Sequence, residues 1–323
     1  MLHFSPSYSN MKLILLSIAV IGSALSAQQC GQPAIAPYDE LIVGGKHARP
    51  GSWPWQALMC VPNAEGGCDL DCGGSIINDQ WILSAAHCIA DGDIEQTVFK
   101  LGAYDQKKEN EDGVQTMRIA EIHPHPNYTN PTPFSNDIGL FKLREKITFG
   151  KTVQPICLPR DDANLVFEGS VATVTGWGAI KENGSDSELL RQVKMPIHKQ
   201  ETCLKDYTTA WFDASNQLCA GGDGVDSCQG DSGGPMVVKD KESNRWFQPG
   251  VVSFGNGCAR KEFLGIYSRV AVACDWLKSV VDMDIGIIFT VALFCSLLPV
   301  LLMAYAYFYH EENSDDENHC TFV

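Results

Sequence analysis

Basic residues are scarce in this sequence. Its 323 residues include 24 lysines and arginines against 39 aspartates and glutamates, so the formal net charge is −15. The phosphate backbone of a duplex repels such a chain. The composition therefore excludes nucleic acid as a partner.

Helical periodicity is also rare. Between residues 42 and 282, only 271–281 places its apolar side chains, among them Val272, Trp276 and Val280, on one helical face. The remainder consists of short apolar runs separated by Gly, Pro, Asn and Asp. This pattern predicts an all-β fold, either a barrel or a sandwich, with one helix at its C-terminal end.

Long apolar runs are limited to two, one near each end of the chain. The first, 13–25, follows Met11-Lys12 and ends among small residues, which predicts a cleaved signal peptide over 1–27, with a signal anchor as the alternative. The second, 285–308, contains no charged side chain and ends among tyrosines, which predicts a transmembrane helix over 285–309 in contact with membrane lipid. Together they predict a single-pass type I protein of the secretory pathway, with an extracellular domain and an acidic cytoplasmic tail over 310–323.

Cysteine, by contrast, is abundant, with 13 in the chain. This number indicates a disulfide framework formed in an oxidising compartment. The cysteines are not spaced as a zinc cluster, so we predict neither a metal nor a cofactor.

One glycine-rich stretch contains a distinctive serine. It runs from Asp226 to Pro235 and reads Asp-Ser-Cys-Gln-Gly-Asp-Ser-Gly-Gly-Pro, with Ser232 between an acid and two glycines. Glycine permits positive φ and a close approach of the backbone, which brings N–H groups toward the hydroxyl. This suits a serine nucleophile whose neighbouring amides stabilise an oxyanion.

Two further motifs precede this stretch. His87 lies in Ser-Ala-Ala-His-Cys, and Asp137 lies in Asn-Asp-Ile-Gly-Leu at the start of an apolar run. With Ile-Val-Gly-Gly at 42–45 and Gly-Trp-Gly at 176–178, these motifs make the chain resemble the trypsin-like serine peptidases of the chymotrypsin fold. The resemblance covers about residues 30–282.

The resemblance implies a fold and a mechanism. The fold is two six-stranded antiparallel β-barrels with a C-terminal helix, in a peptidase domain over 42–282. Ser232 would attack the scissile carbonyl of a protein or peptide substrate, and His87 would take its proton and return it to the leaving amine. Asp137 would orient the imidazole, and the N–H groups of Gly230 and Ser232 would form the oxyanion hole.

The resemblance also implies a substrate preference. Asp226 matches the residue at the bottom of the family's primary specificity pocket, where an acid favours Arg or Lys side chains. Gly255 and Gly265 match the glycines of the pocket walls. Phe254 stands where the family usually has tryptophan.

Activation is implied as well. By the family pattern, a cut before Ile42 would free an amine that pairs with Asp231, and the pro-segment, here 28–41, would stay tethered through Cys30 and Cys157. Leu41 departs from the basic residue usual before the cut, so an activating protease with another preference is expected. The alternative is a catalytically silent homologue that serves as a binding or adhesion protein.

By the same resemblance most cysteines fall into pairs. The implied bonds are Cys30–Cys157, Cys72–Cys88, Cys203–Cys219 and Cys228–Cys258, with Cys60–Cys68 as an extra local pair. Three cysteines remain: Cys274, expected to be extracellular and unpaired; Cys295, in the transmembrane run; and Cys320, in the tail.

Lesser motifs add three expectations. Asn127 and Asn183 begin N-x-Ser/Thr triplets and are predicted glycosylation sites. Ala103 stands where the family's calcium loop usually has an acid, so calcium is not predicted. The final residues, 320–323, fit a PDZ-type ligand, a prenylation motif on Cys320, or an uninformative end, and these alternatives stay open.

Overall fold

The computed structural model describes residues 30–39, 45–64, 67–90, 95–108, 111–222, 224–260, 263–283 and 320. The predicted signal peptide, the Leu41–Ile42 bond and the apolar segment 285–308 lie outside these residues.

Antiparallel strands close a first barrel. After the short strand β1 (Lys46–His47), it consists of β2 (Gln56–Pro62), β3 (Cys68–Ile76), β4 (Trp81–Ser84), β5 (Val98–Leu101), β6 (Gln115–Pro124) and β7 (Gly139–Leu143). The strands follow the order β2-β3-β4-β7-β6-β5, and β5 pairs back with β2. Phe99 and Phe141 meet edge to face inside, with ring centroids 5.2 Å apart.

A second barrel follows. Its strands are β8 (Val171–Gly176), β9 (Arg191–His198), β10 (Gln217–Ala220), β11 (Pro235–Lys239), β12 (Trp246–Phe254) and β13 (Gly265–Arg269). They follow the order β9-β10-β13-β12-β11-β8, β8 pairs back with β9, and β1 adds to the outer side of β9. The predicted pair of six-stranded antiparallel barrels is therefore confirmed.

Buried polar side chains join the two barrels. Ser75 Oγ of β3 donates to Gln248 Oε1 of β12 at 2.6 Å, and Thr175 Oγ1 of β8 donates to Gln56 Oε1 of β2 at 2.5 Å. Because buried polar groups are costly unless they are paired, these bonds fix how one barrel lies against the other. The seam between the barrels is where the candidate site is found.

Helices are few among the described residues. They are α1 (His87–Ala90), α2 (Gln200–Asp206) and, after a 3-10 turn at Ala271–Ala273, α3, which is helical over 274–283. Leu277, Val280 and Val281 of α3 are buried against the core and Trp276 is partly buried there, which confirms a helix with one apolar face. Val272, predicted on that face, is 52% exposed, because it lies in the 3-10 turn that precedes α3. No helix among the described residues is long and apolar enough to cross a bilayer.

The five predicted disulfides are all present. They are Cys30–Cys157, Cys60–Cys68, Cys72–Cys88, Cys203–Cys219 and Cys228–Cys258.

A sixth bond corrects one prediction. Cys274 is bonded to Cys320, so the expectation that Cys274 is unpaired is wrong. Cys320 is buried, and its N–H donates to Leu158 O at 3.0 Å. A partner 46 residues away, beyond the apolar segment, leaves no local signal in the sequence. In this state the Cys320 sulfur is not available for prenylation.

Candidate active site

His87 and Asp137 are brought together by neighbouring strands. Ser84, the last residue of β4, pairs with Gly139, the first residue of β7. Because the strands are antiparallel, the residues after β4 and before β7 leave the sheet at the same end. His87 begins α1 three residues after Ser84, and Asp137 lies two residues before Gly139.

The Asp137 carboxylate holds His87 in two ways. Asp137 Oδ2 lies 2.7 Å from His87 Nδ1, and Oδ1 accepts the His87 backbone N–H at 2.9 Å. Asp137 is fully buried, and a buried carboxylate favours a donor opposite it. The pair therefore selects the tautomer with hydrogen on Nδ1, which makes Nε2 the basic nitrogen.

Ser253 is a further contact of this carboxylate that sequence reasoning missed. Its Oγ donates to Asp137 Oδ2 at 2.5 Å. The register of β12 against β13 shifts between Val252 and Phe254, so Ser253 is the extra residue of a β-bulge. A bulge turns a side chain away from the regular pleat. No sequence motif around Ser253 signals this shift.

Ser232 lies on a turn that only glycine allows. Gly233 has φ +75°, and a Cβ there would collide with Ser84 Oγ at the end of β4. The Gly233 N–H donates to Val252 O at 2.8 Å, and Ser232 O accepts the Gly73 N–H at 2.7 Å. The serine is thereby fixed in the seam, against the strand that leads to His87.

The predicted specificity residues gather in the second barrel. Asp226 Oδ1 accepts the Ser227 N–H at 2.8 Å, and Oδ2 accepts the Ala259 N–H at 3.1 Å. Burial raises the pKa of Asp226 to about 7, although these two hydrogen bonds oppose the rise. A side chain at Gly265 would collide with the Asp226 carboxylate, so glycine is required at that position.

The other predicted pocket residues lie close by. A Cβ at Gly255 would lie 3.2 Å from Gly257 O. Phe254, in place of the family's usual tryptophan, stacks on Phe134 with ring centroids 4.6 Å apart. The aromatic position is therefore filled by a smaller ring that has its own partner.

A cavity of about 290 Å³ connects Asp226 with Asp231. Asp231 Oδ1 and Oδ2 accept the N–H groups of Gly178 and Cys228, each at 2.9 Å. Burial is the largest influence on Asp231 and raises its pKa to about 6. Gly45, three residues after Ile42, lines the same cavity.

The two sulfurs next to His87 do not form a metal site. Ligand atoms of Cys72, His87 and Cys88 lie within 4.8 Å of one another. The two sulfurs are bonded to each other, and a metal binds thiolate rather than disulfide sulfur. Their role is to connect β3 to the histidine segment.

Known proteins are similar to this chain over most of its length. The family model described as Trypsin matches residues 42–277. Similar curated proteins are serine proteinase stubble of Drosophila melanogaster, 38% identical over 256 residues (77% of this chain and 32% of that protein), and the suppressor of tumorigenicity 14 protein homolog of Bos taurus, 38% identical over 246 residues (74% and 28%). Ovochymase of Halocynthia roretzi is 36% identical over 238 residues (73% and 15%).

The chain thus spans a third or less of the length of these relatives. The residues that the family model matches, 42–277, include the two barrels and the seam between them. The family model alone matches well over half of the chain. This chain therefore belongs to the trypsin family of serine-type endopeptidases.

Proposed function

We propose that the protein is an endopeptidase that cleaves after Arg or Lys through an acyl-enzyme. The observation that carries the proposal is the Asp137–His87 pair, with an Nδ1–Oδ2 distance of 2.7 Å, in the seam that also fixes the backbone of Ser232. A buried acid that orients a histidine, and a histidine that activates a serine, are the parts of nucleophilic acyl transfer.

The proposed steps are those that the family resemblance assigns to these residues. His87 Nε2 takes the Ser232 proton as Oγ attacks the carbonyl carbon, and the N–H groups of Gly230 and Ser232 stabilise the negative oxygen. The imidazolium, stabilised by Asp137, then protonates the leaving amine. A water molecule then gives a proton to His87 Nε2 and attacks the acyl carbon. His87 returns the proton to Ser232 Oγ, and the acid product is released.

Asp226 supports the preference for a basic residue. Only backbone N–H groups of Ser227 and Ala259 donate to its carboxylate in the described part of the chain, so a guanidinium or ammonium group would be its first cationic partner. A charge-assisted pair in a half-buried pocket favours Arg and Lys over neutral side chains.

The test uses protein that begins at Ile42 and amide substrates ending in Arg, Lys, Phe or Leu. Turnover of the Arg and Lys substrates that disappears in Ser232→Ala is the expected result. Asp226→Ser should lose the basic preference and keep measurable turnover of the others. Correctly folded protein with no turnover would favour the silent binding or adhesion homologue instead.

Activation is proposed to follow a cut between Leu41 and Ile42. Gly45 lines the cavity that contains Asp231, so the new Ile42 amine has a short path to that carboxylate. Burial raises the pKa of Asp231 more than the nearby charge of Arg191 lowers it, and a buried amine would supply a direct cationic partner.

One substitution tests activation and specificity together. Leu41→Arg should let the chain activate itself, with an accelerating time course, because the product enzyme cuts the altered site. Ser232→Ala combined with Leu41→Arg should stay uncut. A Leu41→Arg chain that is active after external cutting but never cuts itself would contradict self-activation, whereas the amide substrates above decide the Arg preference.

We further propose export through the secretory pathway and attachment to the membrane by 285–308. Six disulfides support an oxidising compartment. The single-pass type I arrangement places 310–323 in the cytoplasm, whereas the Cys274–Cys320 bond keeps residue 320 beside the peptidase domain. The two arrangements are alternatives. If 285–308 crosses the membrane once, residues 274 and 320 lie on opposite sides and cannot be bonded to each other.

A tag after Val323 distinguishes these alternatives in intact cells. Labelling without permeabilisation, together with a 274–320 linked peptide in non-reducing mass spectrometry, would exclude the single crossing and a cytosolic PDZ-type partner. Labelling only after permeabilisation would support the type I arrangement.

A further inference from the structure

The two sides of the proposed scissile bond face different barrels, and this inference rests on the proposed function. Asp226 lies in the second barrel and receives the acyl side of the substrate. The leaving amine must depart toward His87, which protonates it. His87 lies beside the Cys72–Cys88 bond, so the leaving side of the substrate runs along β3 of the first barrel.

Two side chains flank the oxyanion glycine on that side. A Cβ at Gly230 would lie 2.7 Å from Leu70 Cδ2 and 3.4 Å from Asp186 Oδ1. Leu70 is on β3, two residues before Cys72. Asp186 is on the loop that an isolated bridge with Ala179 closes.

Asp186 has a carboxylate without a partner. Among the residues that the structure describes, it has no hydrogen bond or ion pair through its side chain. Lys107 is the one cation that influences it, and only through space. Gln106 holds the segment of Lys107 against that of Asp186. Its backbone N–H donates to Glu188 O at 2.9 Å, and its Nε2 donates to Ser187 O at 2.9 Å.

A negative charge at this place has two effects on a substrate. It attracts a cationic side chain that follows the scissile bond. It also opposes the negative oxygen that develops near the Gly230 N–H. A cation bound to Asp186 would offset that repulsion as well as add affinity. The aliphatic stem of a lysine would meanwhile have the apolar Leu70 beside it.

We propose that Asp186 is a specificity-determining residue that selects Lys or Arg within the first two positions after the scissile bond. The preferred substrates then carry basic residues on both sides of the cut. Asp226 recognises the one before it, and Asp186 recognises the one after it.

The test uses the full chain cut at the Leu41→Arg site and quenched peptides with Arg before the bond. Two peptide series place Lys, Gln or Glu at the first or at the second position after the bond, and the series with the larger Lys-to-Glu ratio is used. We expect kcat/KM about fivefold higher for Lys than for Glu, the upper end for an exposed ion pair, and a decrease of this ratio with salt. Asp186→Asn should reduce the ratio below about twofold, and Asp186→Lys should invert it.

Glu145→Gln is the matched control. It also removes one exposed negative charge, but it lies just after β7, whereas Asp137 lies just before it. A ratio unchanged in Asp186→Asn, or reduced equally by Glu145→Gln, would overturn the proposal.

A binding measurement separates this inference from the proposed function. The same peptides are titrated against cut Ser232→Ala protein, with and without Asp186→Asn, by fluorescence anisotropy. A preference for Lys in Kd that disappears in the double variant supports the role of Asp186 even if no peptide is cleaved. Cleavage after Arg without any dependence on Asp186 supports the peptidase and refutes the role of Asp186.

Discussion

Both carboxylate oxygens of Asp137 have hydrogen-bond partners. It accepts the His87 backbone N–H, faces His87 Nδ1 and accepts the Ser253 hydroxyl. Asp137→Asn would put an amide where the imidazole needs an acceptor and would favour the wrong tautomer. We expect kcat to fall about 10⁴-fold at neutral pH with little change in KM. Steady-state kinetics check this, and a loss below tenfold would contradict the assigned role.

A pH prediction concerns Asp226. Its pKa of about 7 lies above the ordinary 3.8, and only the ionised form attracts a cation. The inhibition constant of benzamidine, a cationic probe, should therefore fall as pH rises from 5 to 8. An uncharged benzamide of the same shape serves as the comparison and should lack this trend. Two outcomes would contradict the assignment. One is an inhibition constant of benzamidine that does not change with pH, and the other is a pH-dependent fall that persists in Asp226→Ser.

At the scale of elements, two disulfides of equal span allow a matched comparison. Cys72–Cys88 and Cys203–Cys219 each join residues 16 apart, so loop closure predicts a similar stabilisation of about 3 kcal/mol for each. Replacing either pair with alanines should lower Tm by roughly 6–12 °C. Calorimetry measures this loss.

Activity should separate the two pairs. Cys72–Cys88 connects β3 to the residue after His87, so its removal should lower kcat because the histidine segment loses an anchor. Cys203–Cys219 joins α2 to β10, and its removal should act mainly on KM. An equal fall of kcat in both variants would show that the losses reflect global stability alone.

At the scale of the whole molecule, activation should change how stability depends on pH. The pKa of Asp231, about 6 in the folded chain against an ordinary 3.8, means that folding favours its protonated form. The uncut chain should then lose stability as pH rises from about 4 to about 6, by roughly 3 kcal/mol. The Ile42 amine would remove this penalty in the cut chain.

Calorimetry of cut and uncut protein from pH 4 to pH 8 checks this prediction. The cut form should have the higher Tm at pH 7.5, and the difference should shrink toward pH 4, where the acid is protonated in both states. Asp231→Asn should abolish the difference. An equal Tm for both forms at pH 7.5 would refute the ion pair.

The local motifs predicted a site at His87, Asp137 and Ser232, and the structure places His87 and Asp137 in contact. Each of these three segments has a recognisable motif because tight turns and close backbone approaches require particular residues. At Gly233, for example, a Cβ would collide with Ser84 Oγ. The short apolar runs and turn residues likewise predicted the β class. The family resemblance supplied the two barrels and four of the disulfides, and Cys60–Cys68 was predicted as a local pair.

Tertiary structure alone decided the rest. A bulge in β12 aims Ser253 at Asp137, and the packing of separate loops brings Leu70 and Asp186 to Gly230. The Cys274–Cys320 bond joins two positions with no local pattern between them. These features depend on contacts between residues far apart in the chain. Such contacts are set by strand register and barrel closure, which short-range sequence preferences do not encode.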